Sequence, residues 1–224
     1  KTFITNGQHA DFCLLACVTD PSKGAKGISL IIVETDRAGF ERGRNLEKIG
    51  QKAADTSELF FQDVRVPVSN LVGNEGEGFA IMMRELPRER ITIACRAQAE
   101  AQRAFDLTNA YVKERKAFGK AIADFQNTQF TLADIKTNLA VGWAYLDQCL
   151  QKINENKLSP EEGAMAKLWT TENEGKVVDQ CLQFFGGYGY MQEYPISRAF
   201  VDARVRRIYG GASEIMKLVI SRTL

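Results

Sequence analysis

A change of pattern near Gly76 divides the 224-residue chain into two parts. Before it, short apolar and β-branched runs such as FCLLACVT and GISLIIVET are separated by the turn-forming segment DPSKGAKG, which is typical of β-strands. After it, apolar residues recur every three or four positions over long segments, which is typical of amphipathic helices. The pattern predicts an α+β chain, with a partial β-barrel or sandwich over residues 1–74 and an up-and-down helical bundle over residues 75–224.

One helix start in the second part can be predicted to the residue. In SPEE, Ser159 can cap a helix, Pro160 suits its first turn, and Glu162 stands where a capping box needs an acid. The pattern predicts that this helix ends at Gly186–Gly187. Two further helical stretches are predicted, over residues 195–207 and 213–223.

Composition excludes several classes of function. The net charge of +1 gives no electrostatic reason to expect a nucleic-acid or membrane surface, and no apolar run is long enough to span a bilayer. The single histidine, His9, excludes a zinc site with several histidines, and we expect no metal. A hydrolase triad would have to use His9, which lies in a polar turn without a nucleophile motif.

The five cysteines are odd in number and show no C-x-x-C spacing, so buried free thiols in a reducing compartment are expected, rather than a disulfide or metal role. The first residues show no signal-peptide pattern and resemble the middle of a domain, so we expect the chain to be a fragment.

Three motifs admit two interpretations each. GNEGEGFA (73–80) has glycines in the wrong order for a dinucleotide-binding loop, and its two glutamates would repel a phosphate, so a turn into a helix is favoured. QFFGGYGYMQEYP (183–195) fits a tight corner between helices or a backbone that approaches a flat ligand. In YVKERKAFGKAIADFQ (111–126), Arg115 belongs to a solvated basic face or binds a phosphate or carboxylate.

Together the segments resemble the acyl-CoA dehydrogenase family over the whole chain. The motifs FITNG, VPVSNLVGNEGEGF, ERKAFGKAIADFQ, QFFGGYGYMQEYPISRAFVDARV and IYGGASEI occur in the order and spacing typical of that family. The family fold has an N-terminal helical domain, a middle β domain and a C-terminal four-helix bundle. The resemblance implies that this chain holds the second half of the β domain and the complete bundle, without the N-terminal helical domain.

The resemblance implies an FAD-dependent enzyme that converts an acyl-CoA thioester to the trans-2-enoyl-CoA and passes electrons to an electron-transfer flavoprotein. A carboxylate removes the α-proton, and it acts best in apolar surroundings that raise its pKa. The alternatives are an acyl-CoA oxidase of the same fold and a catalytically inactive fragment or assembly module. The length and branching of the acyl chain stay open.

The position of the base departs from the commonest family pattern. Many members place a glutamate directly after the tyrosine that corresponds to Tyr209, whereas this chain has Gly210 there. Isovaleryl-CoA and long-chain members instead take the base from an L-x-x-E-R motif on the first bundle helix. LPRER (86–90) matches that motif, and Glu89 is the implied base. Gly210 and Gly211 would then leave room for the base and the thioester.

The same match gives roles to two neighbours of these residues. Arg90 resembles the arginine beside the substrate pocket, although a buried ion pair within the bundle is an equal alternative. Glu214 lies four residues beyond the usual base position and is favoured as a first-turn carboxylate on the last helix.

Family contacts with FAD carry over to four segments. They comprise Phe3, Ile4 and Thr5 beside the flavin ring; Arg115, Phe118 and Gln126 toward a neighbouring subunit's FAD; Gln183, Gly186 and Gly187 on the adenosine side; and Ala212, Ser213 and Glu214 after the glycine pair. Ala212 stands where the family usually has threonine. A shared FAD site implies a homo-oligomer, usually a tetramer. A bacterial cytoplasm is expected, with the mitochondrial matrix as the alternative.

Overall fold

A computed structural model describes all 224 residues, which form two compact units, Lys1–Glu85 and Leu86–Leu224. The change from strands to helices comes where the sequence places it, because the first long helix begins at Gly78. That helix continues through the division between the units. The predicted domain boundary between residues 74 and 75 stays a prediction.

The first unit contains two three-stranded antiparallel sheets, one ordered β1-β5-β4 and the other β2-β3-β6. The strands are β1 (Ile4–Thr5), β2 (Phe12–Val18), β3 (Ile28–Glu34), β4 (Phe40–Asn45), β5 (Thr56–Phe61) and β6 (Leu71–Val72). β2 and β3 pair along their whole length, from Phe12 opposite Glu34 to Val18 opposite Ile28. Leu30, Val33 and Leu59 are buried in this unit. The predicted β-rich segment is confirmed.

The glycine-rich segment before the first helix is a structural turn. The Glu77 carboxylate accepts hydrogen bonds from the backbone N–H and the side-chain amide of Asn74, at 3.0 and 3.1 Å. The backbone bond is the main reason that the pKa of Glu77 lies below its ordinary value. A Cβ on Gly78 would come within 2.6 Å of the backbone of Ser29. Packing explains this glycine, so the structure confirms the turn and gives no support to a phosphate loop.

Three long helices, two short helices and a small hairpin complete the fold. They are α1 (Gly78–Glu114), β7 (Lys116–Ala117), β8 (Lys120–Ala121), α2 (Gln126–Asn154), α3 (Pro160–Phe184), α4 (Pro195–Ala203) and α5 (Ser213–Ser221). Both short helices pack against α3. The predicted stretch 195–207 is α-helical only to Ala203 and continues as a 3-10 turn over Arg204–Arg207.

The long helices alternate in direction, as the up-and-down prediction requires. Arg88 hydrogen-bonds Asn156, and Gln98 donates to the Leu139 carbonyl at 2.8 Å, so α1 and α2 are antiparallel. Lys152 of α2 binds Glu162 in the first turn of α3, so α3 reverses again. A buried cluster joins the helices through Ala101, Ala104, Phe105, Ile135, Leu139, Val177, Val178, Cys181, Phe185, Ile196 and Ala203.

The start of α3 confirms the predicted capping box. The Ser159 hydroxyl accepts from the Glu162 N–H at 3.1 Å, and the Glu162 carboxylate accepts from the Ser159 N–H at 3.0 Å. Two otherwise unpaired helix donors are satisfied in this way.

The cysteines are all free, as predicted, but only Cys149 and Cys181 are buried, and the other three are partly exposed. None of the helices combines the length and apolar character that crossing a membrane requires.

Candidate functional site

Helix α1 brings the predicted base close to the glycine pair. Glu89 and Ile93 are four residues apart on this helix, so they lie on one face with their Cβ atoms about 6 Å apart. A Cβ built on Gly210 would meet the Cδ1 of Ile93 at 2.3 Å. The turn that carries Gly210 therefore lies one helical turn from the position of Glu89.

The glycine pair is required by both conformation and packing. Gly210 has a φ of +62° and Gly211 a φ of +95°, a region that side chains disfavour. A Cβ on Gly211 would approach the Cε of Met216 to 2.6 Å. From the sequence, open space was expected at Gly210. The structure fills that space with the Ile93 methyl, because the helix approaches the turn closely.

The surroundings of Glu89 differ from the apolar pocket that the sequence argument expected. The side chain is exposed, and no residue of this chain hydrogen-bonds its carboxylate. Arg90, the next residue, is only 7% exposed. Glu89 is thus exposed one turn before the buried Ile93 on the same face of α1, whereas the next residue, Arg90, is buried.

Arg90 is a buried cation without an ion-pair partner. No carboxylate forms a salt bridge with its guanidinium, and its Nε has no hydrogen-bond partner, so the buried ion pair that was the alternative interpretation does not form. Burial lowers the pKa of Arg90, and the charge of Glu89 partly offsets this effect. The positive charge of Arg90 therefore lies beside Glu89 and lacks a neutralising contact.

Lys167 is a second buried cation that the sequence analysis missed. The side chain is 0% exposed, and its ammonium donates a hydrogen bond to the carbonyl of Gly211. Burial, and after it the charge of Arg90, lowers the pKa of Lys167 to about 8. The signal was available in AMAKLW, where a lone lysine interrupts the apolar face of a predicted helix.

Glu172 holds both sides of the glycine turn. Its carboxylate accepts from the Ser213 hydroxyl at 2.7 Å and from the Arg207 guanidinium at 3.1 Å. Burial opposes ionisation of Glu172, but these two hydrogen bonds outweigh it and hold its pKa below the ordinary value. Helix α3 therefore contacts the residues before, within and after the glycine pair.

The turn after the glycines is only partly free for a ligand. Ser213 is 7% exposed, and its hydroxyl is engaged by Glu172. Ala212 caps α5 without a side-chain hydrogen bond. Glu214 is exposed in the first turn of α5, where the helix dipole favours a carboxylate.

Two of the predicted FAD segments lie together in the second unit. The Arg115 guanidinium lies over the ring of Tyr188, 5.6 Å from its centre, and Tyr111 stacks on Phe185 with ring centres 4.2 Å apart. These contacts join the end of α1 to the aromatic loop after α3. Phe118, in the β7–β8 hairpin, is 96% exposed.

The glycines of the aromatic loop differ in whether packing or backbone conformation requires a glycine at each position. A Cβ on Gly189 would come within 2.6 Å of the Leu182 carbonyl, so the tight-corner interpretation explains this residue. At Gly186 and Gly187 no atom lies within 4 Å of the added Cβ. Gly186 has a φ of +55°, which favours glycine. Gly187 has neither a positive φ nor a close neighbour, so neither conformation nor packing requires a glycine there. Bare backbone is therefore open at this point.

The remaining predicted FAD residues are surface features of separate elements. Phe3 is 76% exposed, and the next two residues form β1, which pairs with β5. Gln126 is exposed at the first residue of α2, and Gln183 is exposed in the last turn of α3.

The fold and these motifs agree with known families. Residues 1–64 match the model for the acyl-CoA dehydrogenase middle domain, and residues 76–224 match the model for the acyl-CoA dehydrogenase C-terminal domain. The chain belongs to the acyl-CoA dehydrogenase family. The resemblance found in the motifs is thus confirmed, as is the order of a β-rich segment followed by a helical domain.

Members of the acyl-CoA dehydrogenase family with different substrates are similar to this chain. The long-chain specific, mitochondrial enzyme of Sus scrofa is 49% identical over 100% of this chain and 53% of its own length. The short-chain specific enzyme of Clostridium acetobutylicum is 42% identical over 99% of this chain and 58% of its own length. The crystal structure of an acyl-CoA dehydrogenase from Geobacillus kaustophilus superposes with a TM-score of 0.98 at 48% identity, covering 100% of this chain and 59% of that one. The chain spans about half the length of the curated relatives it matches.

Proposed function

We propose that the protein carrying this chain is a flavin-dependent acyl-CoA dehydrogenase whose catalytic base is Glu89. The contact between Ile93 and Gly210 supports this most directly, because it brings the base-bearing helix to the glycine turn. Family membership makes the reaction class the natural one, and the glycine at position 210 removes the commoner base. The reaction is the conversion of an acyl-CoA thioester to the trans-2-enoyl-CoA.

Each residue near the turn has a chemical task in this proposal. Glu89 takes the α-proton of the thioester as a general base. The Arg90 guanidinium lies beside it and attracts the carboxylate, as the effect of Glu89 on the pKa of Arg90 indicates. Gly210 and Gly211 present backbone without side chains to the substrate. The exposed Glu214 has no part in the proton transfer.

FAD is the proposed cofactor, and when bound it accepts the β-hydrogen as a hydride. The aromatic loop fits such a ligand, because Gly186 and Gly187 expose backbone with no atom near it. Gln183 would join these glycines on the adenosine side. Arg115, Phe118 and Gln126 would reach the pyrophosphate and adenosine of a neighbouring subunit's FAD. Phe3, Ile4 and Thr5 would line the flavin edge, and Ala212, Ser213 and Glu214 would contact it after the glycine turn.

The partners follow from the same proposal. An FAD site that uses the exposed Phe118 of one subunit for a neighbour's cofactor requires a homo-oligomer, and a homotetramer is proposed. Electrons pass to an electron-transfer flavoprotein. Because relatives at 49% and 42% identity carry long-chain and short-chain specific names, similarity leaves the acyl chain length open. A bacterial cytoplasm is the proposed location, with the mitochondrial matrix as the alternative.

The experiment uses the full polypeptide that carries this chain, reconstituted with FAD. Isovaleryl-CoA, butyryl-CoA and a long-chain acyl-CoA are mixed with it without oxygen, and the loss of flavin absorbance is followed. Bleaching with formation of the enoyl-CoA supports the proposal, and the fastest substrate gives the chain length. Stoichiometric hydrogen peroxide in air would support an oxidase instead, and no bleaching with any acyl-CoA would exclude both enzymes.

A further inference from the structure

The Gly210–Gly211 turn has no side chains of its own to hold it in place. Its position must come from backbone contacts, and one of these is the hydrogen bond from Lys167 to the Gly211 carbonyl. The donor is a fully buried ammonium group, which is costly to remove from water. No carboxylate forms an ion pair with it. A buried cation whose main contact is one peptide carbonyl has a poor stabilising rationale, so a positional role is the better explanation.

The charges that face Lys167 come from two helices. Arg90 on α1 is nearly buried and repels its charge, whereas Glu172 on α3 attracts it. Glu172 is already engaged with Ser213 and Arg207, on the two sides of the turn. Helix α3 thus holds the ends of the turn through a carboxylate and its centre through an ammonium group.

We propose that Lys167 is a positioning residue, whose ammonium group fixes the Gly210–Gly211 turn at the Glu89 face of α1 through its hydrogen bond to the Gly211 carbonyl. This inference deepens the proposed function and rests on it for its catalytic consequence. Its structural content is independent of any cofactor, because every atom in it belongs to α1, α3 and the turn.

Protonation sets the strength of the contact, because a charged ammonium group donates a stronger hydrogen bond to the Gly211 carbonyl than a neutral amine does. The folded-state pKa of Lys167, about 8, lies below the value of 10.5 for an exposed lysine, because burial disfavours the charge. Between these values the unfolded chain binds more protons than the folded chain, so this group makes the fold more stable as pH rises. Below about pH 8 the ammonium is present and opposes folding while it holds the turn. Loss of the charge should therefore loosen the turn without weakening the fold.

The test compares Lys167→Met with the wild-type full polypeptide, and Lys176→Met is the matched control. Lys176 is exposed on the same helix, so the control removes one lysine and leaves the turn intact. Hydrogen exchange of a peptide covering residues 208–214 is measured by mass spectrometry, together with the melting temperature. Lys167→Met should raise exchange in this peptide by about tenfold or more at an equal or higher melting temperature. Unchanged exchange, or a variant that melts lower or fails to fold, would overturn the proposal.

Wild-type protein gives a second measurement that needs no substitution. After correction for intrinsic exchange, protection of the 208–214 peptide should fall as pH rises through about 8, while a peptide from the middle of α2 keeps its protection. Protection of the turn that is independent of pH would contradict the inference.

Activity then separates the two proposals. With FAD bound, Lys167→Met should lower the limiting rate of flavin reduction by about tenfold or more with little change in the acyl-CoA concentration at half-saturation. Wild-type protein that no acyl-CoA reduces would refute the proposed function but leave the exchange result standing. A normal limiting rate in Lys167→Met, in an active enzyme, would refute the positioning role.

Discussion

The Cδ1 of Ile93 lies where a side chain on Gly210 would begin, 2.3 Å from the position of its Cβ. This single contact ties the glycine turn to the helix that carries Glu89. It also explains why the usual base of the family is absent, since a glutamate at position 210 would have to displace Ile93. The Ile93 side chain and a side chain at position 210 therefore compete for the same space.

Substitution of Gly210 should reveal this competition. Gly210→Ala brings a Cβ into steric conflict with Ile93 and forces an alanine to adopt a positive φ. We expect it to lower the free energy of unfolding by about 2–3 kcal/mol. Ile93→Val removes the Cδ1 atom, so the double variant should recover about 1 kcal/mol relative to the sum of the single changes. Urea denaturation of the four proteins gives the coupling.

Gly187→Ala is the control for this series. No atom lies within 4 Å of the added Cβ, so stability should change by less than about 0.5 kcal/mol. A purely additive double-mutant cycle between positions 93 and 210 would show that the contact has no energetic weight.

Disruption of the buried pair of Arg206 and Glu174 should lower the free energy of unfolding. Their side chains are 2% and 1% exposed, and Glu100 is the only other carboxylate near the guanidinium, at 3.8 Å. Arg206→Gln leaves Glu174 without its partner, which should cost about 3–5 kcal/mol above about pH 8, where this buried acid ionises. Arg204→Gln, at an exposed position of the same turn, should cost less than about 0.5 kcal/mol.

The pH dependence of this loss has a definite sign. Burial raises the pKa of Glu174 to about 8 from an ordinary value of 4.5, and Arg206 only partly opposes this. Because the folded state prefers the protonated acid, its contribution is fully present below about pH 4.5 and is lost as pH rises toward 8. Removal of Arg206 should therefore be less damaging at pH 5 than at pH 8, measured by urea denaturation. An equal loss at both values would mean that Glu174 stays ionised.

The cap of α3 gives a smaller and local prediction. Ser159→Ala removes the hydroxyl that accepts the Glu162 N–H, which should lower the free energy of unfolding by about 1 kcal/mol. Ser159→Asp keeps an acceptor and should retain most of the stability. If thermal unfolding of the two variants coincides, the hydroxyl is not the stabilising group.

A feature could be predicted from the sequence when the residues that determine it are close together along the chain. The capping box lies within four consecutive residues, Ser159 to Glu162, so local chemistry predicts it fully. The alternation of α1, α2 and α3 follows from periodicity and short connections. The hydrogen bond between Glu172 and Ser213 joins residues that are 41 positions apart, and it forms only because α5 packs against α3. No local sequence pattern predicts it.

For the same reason, the candidate site could be predicted only in part from the sequence. Family motifs linked Glu89 to Gly210, but the contact that joins the helix to the turn is made by Ile93, which has the pattern of an ordinary core residue. Lys167 escaped notice because a lysine within a helix usually faces water, and only tertiary packing turns it inward. The exposure of Glu89 could not be read from its apolar neighbours either, since Arg90 rather than Glu89 takes the inward position.

The central claim is that Glu89 removes the α-proton, and one stopped-flow measurement tests it. Glu89→Gln and Glu214→Gln are prepared in the full polypeptide, loaded with FAD and mixed with the best acyl-CoA without oxygen. Glu89→Gln should bind FAD normally and lower the rate of flavin bleaching by about a hundredfold or more, whereas Glu214→Gln should stay within about twofold of wild type. Near-normal bleaching by Glu89→Gln, or its loss in Glu214→Gln with flavin still bound, would contradict the account.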